Sequence, residues 1–253
     1  MKKRFLVATD LHYVETLWHG MGAEERMEHF FADVAAAERR GAFDAIFLLG
    51  DYSLDFWVWC EKGCYLNKGE SRTAQFAQRF LPRLRKMAPT YAIAGNHEQY
   101  GDAKWQQIMG NPRRFSAVAG GVLFVLDDTF GANLDPTEQS DGTSRGADAA
   151  WIEGEMAKYP DLPTVLMAHH FEPARESEEF SRLVESPRVR LLLSGHVHTV
   201  DVSHPFQKPL IHAGQYSYAK EADGLSHHGF VELEYDTEND TFSATYAGEA
   251  MPI

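Results

Sequence analysis

A chain of 253 residues, 44% hydrophobic and 24% charged, has ordinary globular composition and excludes the disordered and fibrous classes. Its formal net charge of −13 repels the nucleic-acid backbone, and no Lys/Arg run exceeds Lys2-Lys3-Arg4, so bulk nucleic-acid binding is not expected. A small anionic substrate is still compatible with this charge, because bound cations reverse a local potential. The two cysteines, Cys60 and Cys64, do not make a secreted disulfide scaffold. They read as reduced thiols in a loop, with a disulfide or a share in a soft metal site as the alternatives. No stretch is long and apolar enough to cross a bilayer, and the apolar run Phe5-Leu6-Val7-Ala8 is too short for a signal peptide. The expectation is a cytoplasmic protein with no membrane partner.

Residues 4–9 read as a buried strand, short, partly β-branched and stopped by a polar turn. Residues 23–41 read as a helix, with Met27, Phe30, Phe31, Val34 and Ala37 at helical spacing and Gly41 as its stop. A strand over 45–49, a helix over 71–87 and a strand over 89–94 follow. Residues 52–70 form a long loop rich in aromatics, read as an insertion within a single domain spanning 1–253. The second half is expected to contain a strand over 121–126, a polar loop over 129–145 and a helix over 146–158 with Ser144 as N-cap. A strand over 164–168, a helix over 175–185 and a strand over 189–193 come next. Strands near 209–213, 229–235 and 241–247 complete the chain, with Glu238-Asn239-Asp240 as a hairpin turn. Strands alternating with helices predict a layered α/β fold.

The chemistry concentrates where strands end. Five strands run into residues that can hold a metal: Asp10-x-His12, Gly50-Asp51, Gly95-Asn96-His97-Glu98, His169-His170 and Gly195-His196-Val197-His198. Sites in open α/β sheets form outside the carboxyl ends of the strands, so these residues are expected to converge. Carboxylate, amide and imidazole donors suit first-row ions such as Mn, Fe or Zn. The donors outnumber what one ion needs, and a carboxylate can bridge two, which favours a pair of ions roughly 3.5–4 Å apart.

These motifs, in this order over residues 10–198, resemble the calcineurin-like metallophosphoesterase superfamily, whose pattern is D-x-H, G-D, G-N-H-[DE], a strand-end His and G-H-x-H. The resemblance implies an α/β fold of two packed mixed β-sheets flanked by helices on both sides, a four-layer αββα sandwich. It implies two divalent metal ions per chain, with Asp10, His12 and His198 on the first, Asn96, His169 and His196 on the second, and Asp51 bridging. His97 would contact the phosphate or protonate the leaving oxygen, and Glu98 would orient His97 by a hydrogen bond. The implied activity is hydrolysis of a small phosphate ester by hydroxide generated at the cations. A phosphodiester is favoured by analogy with short family members carrying G-N-H-E, and a phosphomonoester of a nucleotide or sugar is the alternative. A scaffold derived from this fold would lack ligands, and no ligand position is missing here. His169 is preferred over His170 because it follows the apolar strand directly, although Pro173 comes later than the family's proline often does.

Phe56, Trp57 and Trp59 of the aromatic loop are candidates for binding substrate, with a hydrophobic lid as the alternative. Arg145 and Arg175 are weaker candidates for touching phosphate. His212 reads as structural, with support of the site from behind as the alternative, and His19, His29, His204, His227 and His228 read as solvated or structural.

Overall fold

The computed structural model describes residues 1–14, 21–57, 69–131, 144–217 and 228–253. Two six-stranded mixed sheets form the framework. In the first, β1 (Lys2–Ala8), β2 (Ala45–Leu48) and β3 (Thr90–Ala92) run parallel. The antiparallel strands β10 (Val231–Asp236), β11 (Thr241–Tyr246) and β12 (Glu249–Met251) extend it from β1, in the order β12-β11-β10-β1-β2-β3. In the second, β5 (Val122–Leu126), β6 (Thr164–Met167), β7 (Val189–Ser194) and β9 (Leu210–Ala213) run parallel. Antiparallel β4 (Phe115–Ala119) and β8 (Val200–Ser203) close its two edges.

Alternation along each strand decides the layering, because successive side chains point to opposite faces. Phe5, Val7, Ala45 and Phe47 of the first sheet face Phe124, Val165, Leu191 and Ile211 of the second, and all are buried. Phe124 packs against Phe5 and Phe47 with ring centroids at 4.8 and 4.3 Å. The alternate residues Leu6, Ala8, Ile46 and Leu48 turn outward onto four helices, α1 (Ala23–Glu38), α2 (Arg72–Arg79), α3 (Leu81–Arg85) and α4 (Asp102–Met109). On the far side, Leu123, Val125, Leu166 and Leu192 meet α5 (Ala149–Ala157) and α6 (Glu178–Val184) through Ile152, Met156, Phe180 and Val184. Three apolar layers thus separate helices, sheet, sheet and helices, the αββα arrangement expected. Among the described residues, no helix is long and apolar enough to cross a membrane.

Several boundaries differ from expectation. The helix predicted over 71–87 breaks at Phe80, which ends α2 and begins α3, because Pro82 has no N–H to continue the first helix's hydrogen bonds. The helix after the polar loop starts at Ala149, not near 146, and its N-cap is Asp148, whose carboxylate accepts the Trp151 N–H at 3.1 Å. Ser144, the expected cap, lies outside the helix. The helix predicted over 175–185 begins at Glu178, where the Ser177 hydroxyl caps the Phe180 N–H at 3.0 Å. Four short elements were not anticipated: α4, β4, β8 and β12.

Candidate metal centre

All the motif residues lie just beyond carboxyl ends of parallel strands. Asp10 and His12 follow β1, Asp51 follows β2, Asn96 and His97 follow β3, His169 follows β6, and His196 and His198 follow β7. Main-chain hydrogen bonds lace these loops together. Asp10 N–H donates to the Gly50 carbonyl (3.1 Å), His12 N–H to Asp51 (3.1 Å), Tyr13 N–H to Tyr52 (2.6 Å) and Gly195 N–H to His169 (2.9 Å). Two glycines are required by close approach. A Cβ on Gly95 would collide with the Asp51 carboxylate, and one on Gly195 would strike the Thr9 hydroxyl and the Asp10 carboxylate.

The backbone is strained in the same place. Asp10 (φ 52°), His12 (42°), Asp51 (53°), His196 (68°) and His198 (58°) are five of the eight non-glycine residues with left-handed φ among the described residues. Such conformations cost about 1–3 kcal/mol each, and they cluster where a site over-determines them.

Their side chains form three overlapping clusters whose candidate ligand atoms lie within 4.8 Å of one another: Asp10, His12 and His198; His12, Asp51 and His97; and Asp51, His169 and His196. Asp51 joins the two ends. Three imidazole nitrogens surround its Oδ2, from His169 at 3.2 Å and from His12 and His97 at 3.8 Å each. Its Oδ1 accepts the His97 main-chain N–H at 3.1 Å. Asp10 is held by the Thr9 hydroxyl (2.6 Å) and the His196 N–H (3.0 Å) on Oδ2, which leaves Oδ1 to His198 at 3.0 Å.

Whether a metal ion fits is decided at His169. Its Nδ1 lies 2.6 Å from the Leu49 carbonyl, so the ring proton sits on Nδ1. Its Nε2 then aims a lone pair at Asn96 Oδ1, 2.9 Å away, and at Asp51 Oδ2, 3.2 Å away. Asn96 Oδ1 also faces His196 Nδ1 at 3.1 Å. Acceptors converging in a buried pocket require a cation among them, either an extra proton or a metal ion. Asp10 and Asp51 are fully or almost fully buried, and among the described residues only histidines stand within ion-pair distance of them. A donor set of carboxylates, an amide and imidazoles, with no Lys or Arg within ion-pair distance of the two carboxylates among the described residues, fits divalent cations.

His170, the alternative to His169, belongs to none of the three clusters; its ring lies against His196 at 4.6 Å. Glu98 takes a different place from the one expected. Its carboxylate accepts the N–H groups of Gly95 (2.9 Å), Asp51 (2.8 Å) and Tyr52 (3.0 Å), with Ser53 and the Thr73 hydroxyl farther off. It clamps the Asp51 loop to the Asn96 loop rather than gripping the His97 ring. Phe56 is a correction as well: it is buried and packs edge-on against Tyr100 at 4.8 Å, so it belongs to the core and not to a substrate wall. Trp57, the next residue, is only partly buried and stands 6.3 Å from the His97 ring. Trp59, Cys60, Cys64, His19 and His227 lie outside the described residues. Arg145 and Arg175 lie away from the clusters: Arg145 lines a polar cavity of about 620 Å³ with Arg113 and Arg114, and Arg175 pairs with Glu172. His212 bonds Ser194 at 3.0 Å at the end of β7. Phe130, which no sequence signal marked, is buried beside both His169 and His196, at 5.7 and 5.5 Å.

With this geometry in place, the sequence profile described as calcineurin-like phosphoesterase matches residues 3–200. The chain belongs to that family. Its fold is similar to a purple acid phosphatase from yellow lupin, Lupinus luteus, at 19% identity and TM-score 0.59, covering 99% of this chain and 52% of that one. It is similar also to a candidate 5′-nucleotidase from Staphylococcus aureus in complex with alpha-ketoglutarate, at 15% identity and TM-score 0.62, covering 100% of this chain and 54% of that one. The chain thus spans about half the length of either protein. Comparison with curated protein sequences gave no match.

Without a metal ion, the charge balance of the site rests on protons. Burial opposes a charge on His169, but Asp51 beside it prevails and pushes it up to about 9. Burial also opposes a charge on His198, which Asp10 raises. Burial and Asp51 push Glu98 up to about 8, against the pull of the Gly95 amide. Burial holds His12 and His196 down at about 4. The last two stabilise the folded state increasingly as pH climbs from about 4 to the ordinary histidine value of 6.5, and no further. Raised groups act the other way: their contribution is complete below the unfolded value and is lost as pH rises through the folded one. For His169 that window runs from 6.5 to about 9. EDTA-treated protein is therefore expected to lose thermal stability between pH 6.5 and 9, followed by circular dichroism. Mn²⁺-loaded protein should not, since ions prefer deprotonated ligands. A metal-free melting temperature that stays level or climbs over that window would contradict this electrostatic account.

Proposed function

We propose that the chain hydrolyses a small phosphate ester, a phosphodiester in the first instance, with two divalent cations of the Mn, Fe or Zn type. The reading rests on the convergence of His169 Nε2, Asn96 Oδ1 and Asp51 Oδ2, which needs a cation at its centre, beside a second cluster of Asp10, His12 and His198. Asp51 lies between the two sets, with His12 at 3.8 Å and His169 at 3.2 Å from its Oδ2, and its carboxylate would be shared between the two ions. Family membership supplies the reaction class.

The cations, when bound, supply Lewis acidity toward the phosphoryl group and make water acidic enough to lose a proton near neutral pH. The chain's residues do the rest. Asp10, His12 and His198 would hold one ion, and Asn96, His169 and His196 the other. The Thr9 hydroxyl fixes which Asp10 oxygen faces the site, and the Leu49 carbonyl fixes the His169 tautomer. His97 stands over the Asp51 side of the site, 3.8 Å from its carboxylate, where an imidazole can give a proton to the departing ester oxygen. Trp57 flanks that imidazole and offers an apolar face to the leaving group. Phe130 lies on the opposite side against His169 and His196, where it would keep water from the cluster those two form with Asp51.

Bis(p-nitrophenyl) phosphate and p-nitrophenyl phosphate, assayed with Mn²⁺ and with EDTA, test the reading. Turnover of the diester above the monoester in Mn²⁺, abolished by EDTA, is expected. A reversed ratio would make the chain a phosphomonoesterase, and turnover of neither by metal-loaded protein would leave a binding scaffold. His97→Ala should lower kcat by about 10²–10⁴-fold while the metal content, read by inductively coupled plasma mass spectrometry, stays at the wild-type level. Loss of metal in step with activity would make His97 a ligand.

A further inference from the structure

Arg26 sits in the first turns of α1, after the N-cap Gly22, and is completely buried. Two costs attend it there. A cation near a helix N-terminus opposes the helix dipole, whereas its neighbours Glu24 and Glu25 suit it. A buried guanidinium also loses its hydration, and among the described residues no carboxylate pairs with it; burial alone pulls its pKa down to about 10. Met27, Phe30 and Val34 of the same helix show that an apolar residue would be at home on this face.

The guanidinium spends its protons on two main-chain carbonyls. Nη2 donates to His12 at 2.6 Å, and Nη1 donates to Met21 at 2.7 Å. Arg26 therefore joins the strand-end loop that carries His12 to the chain entering α1. The His12 carbonyl matters because His12 holds a left-handed φ of 42°, which an L residue keeps only under restraint. The peptide before His12 is fixed by its N–H bond to Asp51, at 3.1 Å. The peptide after it is fixed at both atoms, its carbonyl by Arg26 and the Tyr13 N–H by the Tyr52 carbonyl at 2.6 Å. With both flanking peptides pinned, the direction of the His12 Cα–Cβ bond is set, and with it the place of the imidazole beside Asp10 and Asp51.

We infer that Arg26 is a positioning residue for one of the two metal ions: through the His12 carbonyl it holds His12 in the conformation that ligates the Asp10–His198 ion. The inference rests on the dinuclear reading above and adds a selectivity to it. Among the described residues, the hydrogen bonds of Arg26 go to His12 and Met21 and none goes to Asn96, His169 or His196, so its loss should disturb one ion and spare the other.

Calorimetric titration of EDTA-stripped protein with Mn²⁺ tests this without an activity readout. Wild type is expected to take up two ions. Arg26→Met, which keeps the unbranched apolar stem but removes charge and donors, should bind one ion with wild-type affinity and the other about 10–100-fold more weakly. Arg26→Lys, which keeps the charge and can reach one carbonyl, should recover part of that loss. It also serves as the test if the Met variant fails to fold, as judged by circular dichroism. Equal weakening of both ions, or two wild-type affinities in a folded variant, would overturn the role of Arg26 and leave the dinuclear reading standing. A wild-type chain that takes up fewer than two ions would remove the dinuclear reading, and this inference with it.

Discussion

A lone pair cannot rest against other lone pairs in a dry interior, and the architecture around His169 is organised by that constraint. The Leu49 carbonyl takes the ring's only neutral-state proton, so Nε2 must face Asn96 and Asp51 as an acceptor. A positive charge has to lie there. When a proton supplies it, the site is held together by an imidazolium and is sensitive to pH. When a metal ion supplies it, the ring is used in its neutral form and no imidazolium is needed. The buried carboxylates of Asp10 and Asp51 enlarge the demand, since imidazoles are the only cationic groups near them among the described residues.

Bringing that many acceptors together has a conformational cost, and the rest of the molecule offsets it. Five left-handed non-glycine residues at about 1–3 kcal/mol each approach the whole net stability of an ordinary domain, about 5–15 kcal/mol. Three apolar layers supply the compensation, because the strands that end at the site are buried on both faces. Loop-to-loop bonds distribute the restraint: Glu98 ties three amides of two motif loops, and Arg26 ties the carbonyl of a third. The rigid sheets set where the loops begin, and these buried polar clamps set how they turn.

The sequence was most informative where chemistry and local geometry coincide. Asp10 and His12 stand in a short D-x-H motif, and Asp51, Asn96, His196 and His198 in motifs with glycines, of which Gly95 and Gly195 serve close packing. The strand-side alternation of Phe5, Leu6, Val7 and Ala8 divides correctly between two cores, which any regular strand would do. What escaped depends on contacts distant in sequence. Arg26 follows Glu24 and Glu25 and reads as part of a solvated charged face; only the folded chain shows His12 and Met21 presenting carbonyls to it. Phe56 and Trp57 are adjacent in a loop with no periodicity, so nothing local tells that the first faces Tyr100 and the second faces His97. The resemblance implies a Glu98–His97 hydrogen bond, whereas the Glu98 carboxylate reaches across to the Asp51 loop. The strands β4, β8 and β12 have three to five residues, too short for alternation to stand out. The two turns of α4 carry only Trp105 and Met109 as buried marks.

The central claim is that Asp51 lies between two cations. Anomalous diffraction at the manganese edge, from crystals grown with Mn²⁺, reads this directly. Two peaks roughly 3.5–4 Å apart, one on each side of the Asp51 carboxylate, are the predicted result. A single peak, or none within ligand distance of Asp51, would contradict it.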